Sequence, residues 1–377
     1  MKPYLKRAWA EISLPAIRKN IDVIKSLNSG KTEIMAVVKA DAYGHGDERI
    51  CRCLAEECDI RYFAVSNLDE AIAVREFCPE AEILILGYTP PEYAHEIAQH
   101  NIIQGVVSTD YALALMHNSF EPIRCHIKID TGMGRIGLKH DTPASCAEEI
   151  AQLCAMDGLS VEGIYTHFAV ADSSREDDIA YTDAQEKFIL DTHSALESMG
   201  ISLSHIHFMN SAACCARNSS ASTLARAGII MYGLHPDTSM TLPEGISPVM
   251  ELKAVISHVK TVQPGDFISY GRTFCAEKEM RIATVTIGYA DGYSRQLSSK
   301  GEILVHGKRC RIVGRVCMDQ LMIDVTDAQA ESGDIVTLIG RDGEDIITAD
   351  EIASLCGTIG YEIVCGISKR VPRIYIK

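Results

Sequence analysis

The sequence is short of positive charge: 36 Lys and Arg stand against 51 Asp and Glu, for a formal net charge of −15. No basic cluster interrupts that balance, and nucleic-acid affinity rests on such clusters, so no nucleic-acid partner is expected. Long hydrophobic runs are missing as well. No stretch approaches the ~20 apolar residues of a membrane helix, and the opening MKPYLKRAWAEIS lacks the apolar core of a secretory signal. The expectation is a cytoplasmic chain without a membrane segment. Paired cysteine spacing is absent, although fourteen cysteines are present. Cys125, Cys154, Cys356 and Cys365 sit in apolar stretches. The tightest group, Cys51, Cys53 and Cys58, falls in a helix-like segment without the distant second pair of a zinc site. They read as reduced residues used as small hydrophobes, and no metal is expected. Finally, no GxGxxG follows the first strand-like run, which removes the phosphate loop of an open dinucleotide-binding sheet.

What is present has the balance of an ordinary globular protein, 47% hydrophobic and 23% charged, and 377 residues exceed one comfortable core. The first two-thirds alternates apolar runs with amphipathic helical patterns. The runs are 34–40, 62–67, 83–87, 102–108, 123–132, 159–168, 204–212 and 224–233. They are apolar on both faces and end in Gly, Asp, Asn or Ser, as buried parallel strands do. Between them lie spacings such as Leu14, Ile17, Ile21 and Ile24, with Ser13 ahead, Pro15 in the first turn and Gly30 behind. Eight strands with intervening helices over about 230 residues fit a (β/α)8 barrel, whose usual size is about 250. The proline-bearing segment 235–248 reads as a linker. Beyond it short strand-like runs follow one another, with one helix signalled by the capping pair Thr348 and Glu351. The expected organisation is a TIM-type barrel over 12–240 and a smaller, mostly β domain over 241–377, joined by an N-terminal strand within 1–11.

In a barrel, chemistry sits at the C-terminal strand ends. Those ends carry Lys39, Lys128 with Asp130, His167, Asn210 with Ser211, and Arg226 with Gly228. A lysine leaving an apolar strand there is desolvated, which lowers its pKa and makes it a nucleophile or Schiff-base former. Taken singly, each residue has a plainer reading: a surface lysine for Lys39, a tight turn for Gly228. Together they are hard to explain by packing.

The sequel to Lys39, Asp41-Ala42-Tyr43-Gly44-His45-Gly46, resembles the cofactor-lysine motif of the alanine racemase family, and the resemblance covers nearly the whole chain. It is carried by VVKADAYGHG (37–46), KIDTGMGRIG (128–137), YTHFAVAD (165–172), HFMNSA (207–212), RAGIIMYGL (226–234), SYGRTF (269–274), TIGYADGYSR (286–295), VGRVCMDQ (313–320) and RVPRIY (370–375). The resemblance implies pyridoxal 5'-phosphate held by Lys39 as an imine. Tyr43, Ser211, the amides of Gly228 and Ile229, and Tyr361 match the phosphate ligands, with His167 and Asn210 beside the cofactor. Arg226 matches the arginine facing the pyridine nitrogen. An arginine donates hydrogen bonds but accepts no proton, so the ring stays a weak electron sink and side reactions are disfavoured.

Racemisation needs two proton carriers, and the resemblance supplies Lys39 and Tyr270. A tyrosine of reference pKa about 10 is a poor base unaided, and His167 and Arg226 are the family's candidates to assist it. In the family this tyrosine comes from the opposite subunit, as do the matches of Met318 and Asp319, which implies a head-to-tail homodimer. Lys128 and Arg135 match a pair in which the lysine is often carbamylated and the arginine meets the substrate carboxylate; a plain Lys128–Asp130 neighbourhood is the simpler reading. Tyr289 and Arg295 match residues at the entrance, and Tyr293 and His45 are read as structural. The implied activity is interconversion of L- and D-alanine, feeding D-alanine to bacterial cell-wall peptides. A serine or broad-specificity racemase is the alternative within the same chemistry, although serine-preferring relatives often carry a smaller residue where Tyr361 stands. A barrel-type pyridoxal-phosphate decarboxylase needs acidic residues in place of Arg226. A non-enzymatic cofactor carrier ends after the barrel, whereas this chain continues.

Overall fold

Each of the eight apolar runs contains a strand. In the computed structural model, which describes residues 6–28, 32–217 and 220–377, an N-terminal strand β1 (Ala8–Ser13) precedes β2 (Glu33–Val37), β3 (Tyr62–Val65), β4 (Glu82–Ile85), β5 (Ile103–Val106), β6 (Ile123–Lys128), β7 (Leu159–Tyr165), β8 (His205–His207) and β9 (Leu224–Ala227). Strands β2 to β9 form one parallel sheet in the order β8-β7-β6-β5-β4-β3-β2-β9. A bridge between Met209 and Ala225 and the bond from the Thr223 amide to the Ile206 carbonyl draw its two ends together. The result is a near-closed eight-stranded barrel. Runs such as Ile83, Leu84 and Ile85 are fully buried, and each such side chain contributes about 1.5–3 kcal/mol of burial.

The strands stop earlier than the apolar runs do. The run 204–212 passes from β8 into a short helix, Ser211–Ala216, and the run 224–233 into a 3-10 turn, Ile229–Tyr232. Burial continues past the last ladder bond, so hydrophobicity alone overshoots the strand end. Helix α1 (Leu14–Leu27) starts where Ser13 Oγ accepts from the Ala16 amide, and it buries Ile17, Ile21 and Ile24. Its buried Asn20 donates to the carbonyls of Met231 and Ser247 at 2.9 and 2.8 Å, tying the helix to the barrel end. Gly30, read from the sequence as the stop signal, lies outside the described residues.

The rest of the chain is built on β10 (Met250–Val262), which pairs antiparallel with β1, with strand Met280–Val285 and with strand Ile335–Asp342. β1 also pairs parallel with the last strand, Arg373–Ile376, so this N-terminal segment lies in the second sheet; residues 1–5 lie outside the described ones. The helix Ala349–Cys356 starts at Thr348, whose Oγ accepts from the Glu351 amide at 3.0 Å. A further helix, Gly360–Gly366, carries Tyr361 and had no sequence signal. The cysteines are free, and among the described residues no group of metal-ligating side chains occurs and no helix is long and apolar enough to cross a membrane.

The segment after β2 decides the site. Ala40, Asp41, Ala42 and Tyr43 all have φ between 52° and 56°, one turn of left-handed helix made without glycine. Left-handed backbone costs about 1–2 kcal/mol per non-glycine residue, so tertiary bonds must hold it. The Ala40 amide donates to Glu70 Oε1 at 2.8 Å, and the Gly46 amide to the Asp41 carbonyl at 3.0 Å. From the β domain, Arg373 Nε donates to the Gly44 carbonyl at 2.9 Å. Gly44 admits no side chain, since a Cβ would stand 2.3 Å from the Val364 carbonyl oxygen.

Candidate active site

The barrel mouth encloses a cavity of about 400 Å³, within the usual range for small-molecule sites. Lys39, Tyr43, Lys128, Arg135, His167, Asn210, Ser211, Arg226, Gly228 and Tyr361 all line it. Ile229 lies just behind, fully buried at the head of its 3-10 turn. These residues come from the ends of five strands, the loop after β6 and the helix Gly360–Gly366. Burial lowers the Lys39 pKa from the ordinary lysine value, and the nearby Arg135 guanidinium lowers it further. Its neutral, nucleophilic form is thereby favoured.

On one wall three polar groups converge. The Gly228 amide donates to Ser211 Oγ at 2.9 Å. A Cβ on Gly228 would stand 2.9 Å from Tyr43 Oη and 3.2 Å from Ser211 Oγ, so both hydroxyls close on bare backbone. Burial, with Tyr361 close by, pushes the Tyr43 phenol above its ordinary pKa, keeping it a proton donor. Ser211 and the Gly228 amide, after the seventh and eighth barrel strands, and the Tyr43 hydroxyl, after the first, make a cradle of the kind that takes phosphate in this architecture. A phosphate-bearing aldehyde fits this residue set: amine for its carbonyl, cradle for its phosphate, and a buried cation in the same cavity.

That cation is Arg226. Burial brings its pKa down to about 10, which leaves it charged at neutral pH. Its Nη atoms donate to His207 Nδ1 at 2.9 Å and to the Thr166 carbonyl at 2.7 Å, and one lies 3.4 Å from His167 Nδ1. Arginine donates only, so His207 carries its proton on Nε2, which lies 2.9 Å from His126 Nδ1. Burial, and then Arg226, hold His167 and His207 well below the ordinary imidazole pKa. Both are neutral.

Lys128 is buried, and burial, with Arg226 and Arg135, brings its pKa down to about 7. It makes no ion pair with Asp130 among the described residues. Its amine lies 5.1 Å from the centroid of the Tyr165 ring, while Asp130 accepts from the amides of Gly132 and Gly134 at 3.0 Å each and shapes the loop that carries Arg135.

The other sequence-derived residues sit apart. Tyr270 is 70% exposed on a turn of the β domain, Met318 is 53% exposed and Tyr289 is 41% exposed. They belong to neighbouring loops: Ser269 Oγ donates to the Arg315 carbonyl at 2.8 Å, and the Tyr289 amide to the Cys317 carbonyl at 3.0 Å. Asp319 accepts from Arg370 Nη2 at 2.7 Å, and Arg295 is exposed on the same domain. None of the five lines the barrel cavity of its own chain. His45 and Tyr293 are fully buried. Sequence reasoning passed over Tyr165, whose ring stacks on His207 at 4.9 Å and 6° and lies 5.7 Å from the Arg226 guanidinium. It also passed over Met133 and Asp172 on the cavity wall. Tyr165 ends a barrel strand within a quoted motif, a signal that could have found it.

A desolvated amine, a buried guanidinium and an anion cradle at the C-terminal face define a barrel enzyme built for an anionic carbonyl ligand. Residues 12–236 match the family model of the alanine racemase N-terminal domain, and residues 249–375 that of the C-terminal domain. The alanine racemase of Desulforamulus reducens is 44% identical over 375 residues, 98% of each chain, and that of Desulfovibrio desulfuricans is 42% identical over the full length of both. Among solved structures, the alanine racemase from Bacillus anthracis with bound L-Ala-P superposes with a TM-score of 0.91 at 38% identity, covering 100% of this chain and 96% of that one. The alanine racemase from Streptomyces coelicolor A3(2) gives a TM-score of 0.91 at 32% identity, covering 99% of each. The chain belongs to the alanine racemase family.

Proposed function

We propose that this chain interconverts L- and D-alanine with pyridoxal 5'-phosphate, as a cytoplasmic homodimer. The observation that carries the reading is the convergence of a desolvated Lys39 amine with the Tyr43, Ser211 and Gly228 cradle in one cavity. When bound, pyridoxal phosphate supplies a conjugated ring that acidifies the α-carbon of an amine joined to its aldehyde. Tyr43, Ser211 and the amides of Gly228 and Ile229 would hold the phosphate, with Tyr361 alongside, and His167 and Asn210 would flank the ring. Arg226, locked by His207 and the Thr166 carbonyl, would donate to the ring nitrogen and leave it unprotonated. Arg135, on the cavity wall, would meet a substrate carboxylate.

With pyridoxal phosphate bound, the Lys39 amine would move the α-proton on one face. Tyr270 moves it on the other. Because Tyr270 is exposed and outside its own chain's cavity, we assign it to the cavity of a second copy, together with Met318 and Asp319, with Tyr289 and Arg295 at the entrance. Lys128, with a pKa near 7, has the unprotonated amine that carbamylation requires. Tyr361 bounds the cavity with a full aromatic ring, which supports alanine over serine. The test is borohydride reduction of the purified protein in the presence of pyridoxal phosphate, with L-alanine turnover followed in heavy water. Cofactor fixed on Lys39 and deuterium at the α-carbon of both enantiomers are expected. Fixation on another lysine, or no exchange, overturns the reading.

A further inference from the structure

His45 has no place in the machinery above, yet it sits directly behind it. It is fully buried and does not line the barrel cavity. Its ring stacks on Tyr232 at 4.5 Å and 28°, and Tyr232 in turn lies 5.1 Å from Tyr43 and donates to the Val37 carbonyl at 3.2 Å. Val37 ends β2, with Val38 and Lys39 between it and the left-handed turn. His45 Nδ1 lies 2.9 Å from the Tyr43 carbonyl and 3.1 Å from the Ala42 carbonyl. Two acceptors require a donor, so the ring proton resides on Nδ1. Burial brings the His45 pKa down to about 4, and the ring is therefore neutral, with a bare lone pair on Nε2. That Nε2 has no hydrogen-bond partner among the described residues.

The braces from the β domain act elsewhere: Arg373 holds the Gly44 carbonyl, and the Tyr375 hydroxyl donates to the His45 carbonyl at 3.2 Å. Among the described residues, only His45 is bonded to the carbonyls of the two residues at the end of the left-handed run, Ala42 and Tyr43, through a side chain.

We infer that His45 is a positioning residue whose Nδ1–H locks the left-handed turn so that the Lys39 amine and the Tyr43 hydroxyl face one cavity. The inference rests on the reading that this cavity binds pyridoxal phosphate. An unpartnered buried Nε2 is a cost to the fold, so exchanging His45 for phenylalanine removes a penalty along with the donor and keeps the stacking on Tyr232. A purely structural histidine would show itself in melting temperature. A positioning histidine shows itself in cofactor affinity.

The test compares the cofactor-free wild type with His45→Phe, His45→Asn and His45→Gln. Asparagine places an N–H close to the Nδ1 position, and glutamine carries it one carbon further. Pyridoxal phosphate affinity, by titration of its visible absorbance, is expected to fall at least tenfold in His45→Phe and in His45→Gln, and to stay within about threefold of wild type in His45→Asn. Amide hydrogen exchange at residues 40–46 of the cofactor-free proteins is expected to rise in the first two variants and not in the third. Wild-type affinity in His45→Phe, or equal behaviour of the Asn and Gln variants, overturns the inference. Should His45→Phe fail to fold, the Asn and Gln pair decides. Should wild type bind no pyridoxal phosphate while the exchange pattern holds, the cofactor reading falls and the role of His45 in the turn stands.

Discussion

Adding one methyl group at Gly228 probes the cradle most sharply. The new Cβ would stand 2.9 Å from Tyr43 Oη and 3.2 Å from Ser211 Oγ, where an unstrained contact needs about 3.5 Å. Tyr43 has little room to retreat, because Tyr232 and Tyr361 stand 5.1 and 6.1 Å from its ring. Relief therefore moves a hydroxyl or the loop by about half an ångström. A hydrogen bond to a charged group is worth about 1.5–3 kcal/mol, so misplacing one phosphate ligand should weaken cofactor binding roughly 10- to 100-fold. The assay is equilibrium titration of cofactor-free Gly228→Ala with pyridoxal phosphate, with Tyr43→Phe as a second disruption of the same cradle. Overpacking should also cost about 1–3 kcal/mol of stability, read from urea unfolding. Binding within twofold of wild type by a folded Gly228→Ala would refute the assignment of the cradle to phosphate.

Lys128 makes stability depend on pH. Its folded pKa is near 7, below the ordinary lysine value of 10.5, so the unfolded chain binds more protons between those values and wild-type stability gains from Lys128 as pH rises through that window. Urea unfolding in CO2-free buffer should find Lys128→Met more stable relative to wild type at pH 7 than at pH 9; a constant difference would contradict the burial argument. With 13C-labelled bicarbonate, a carbamate carbon signal is expected in wild type and absent from Lys128→Met. Asp291 is fully buried between Arg7, which meets it with both guanidinium nitrogens, and the Gly288 amide at 3.0 Å. Asp291→Asn should cost about 3 kcal/mol of stability by leaving Arg7 without its counter-charge, and a melting temperature equal to wild type would count against that pairing.

The barrel was legible in the sequence because parallel strands are covered on both faces and read as uninterrupted apolar runs, as Ile83–Ile85 and Ile34–Val38 do. Three strand ends were legible because a charged residue stands at or close to each of them: Lys39, Lys128 and Arg226. The left-handed turn was not. Ala, Asp, Ala and Tyr prefer right-handed backbone, and the conformation is imposed from outside by Glu70, Arg373 and the packing of Val364 against Gly44. Propensity is a local quantity, and these partners lie 30 residues or more away along the chain. Tyr165 was missed because its role comes from its neighbours: a ring between Lys128, Arg226 and His207 is defined by three other strands. The separation of Tyr270 from the cavity is equally invisible to spacing, since it depends on which end of the β domain the turn occupies.

The proposed racemisation requires Lys39 and Tyr270 to meet across two copies of the chain. Lys39→Ala and Tyr270→Ala are each expected to be inactive alone. Unfolded together and refolded as an equal mixture, they should regain about a quarter of wild-type alanine racemisation, because half the dimers are mixed and each mixed dimer has one intact site. A mixture as inactive as its two components would contradict a second base supplied in trans.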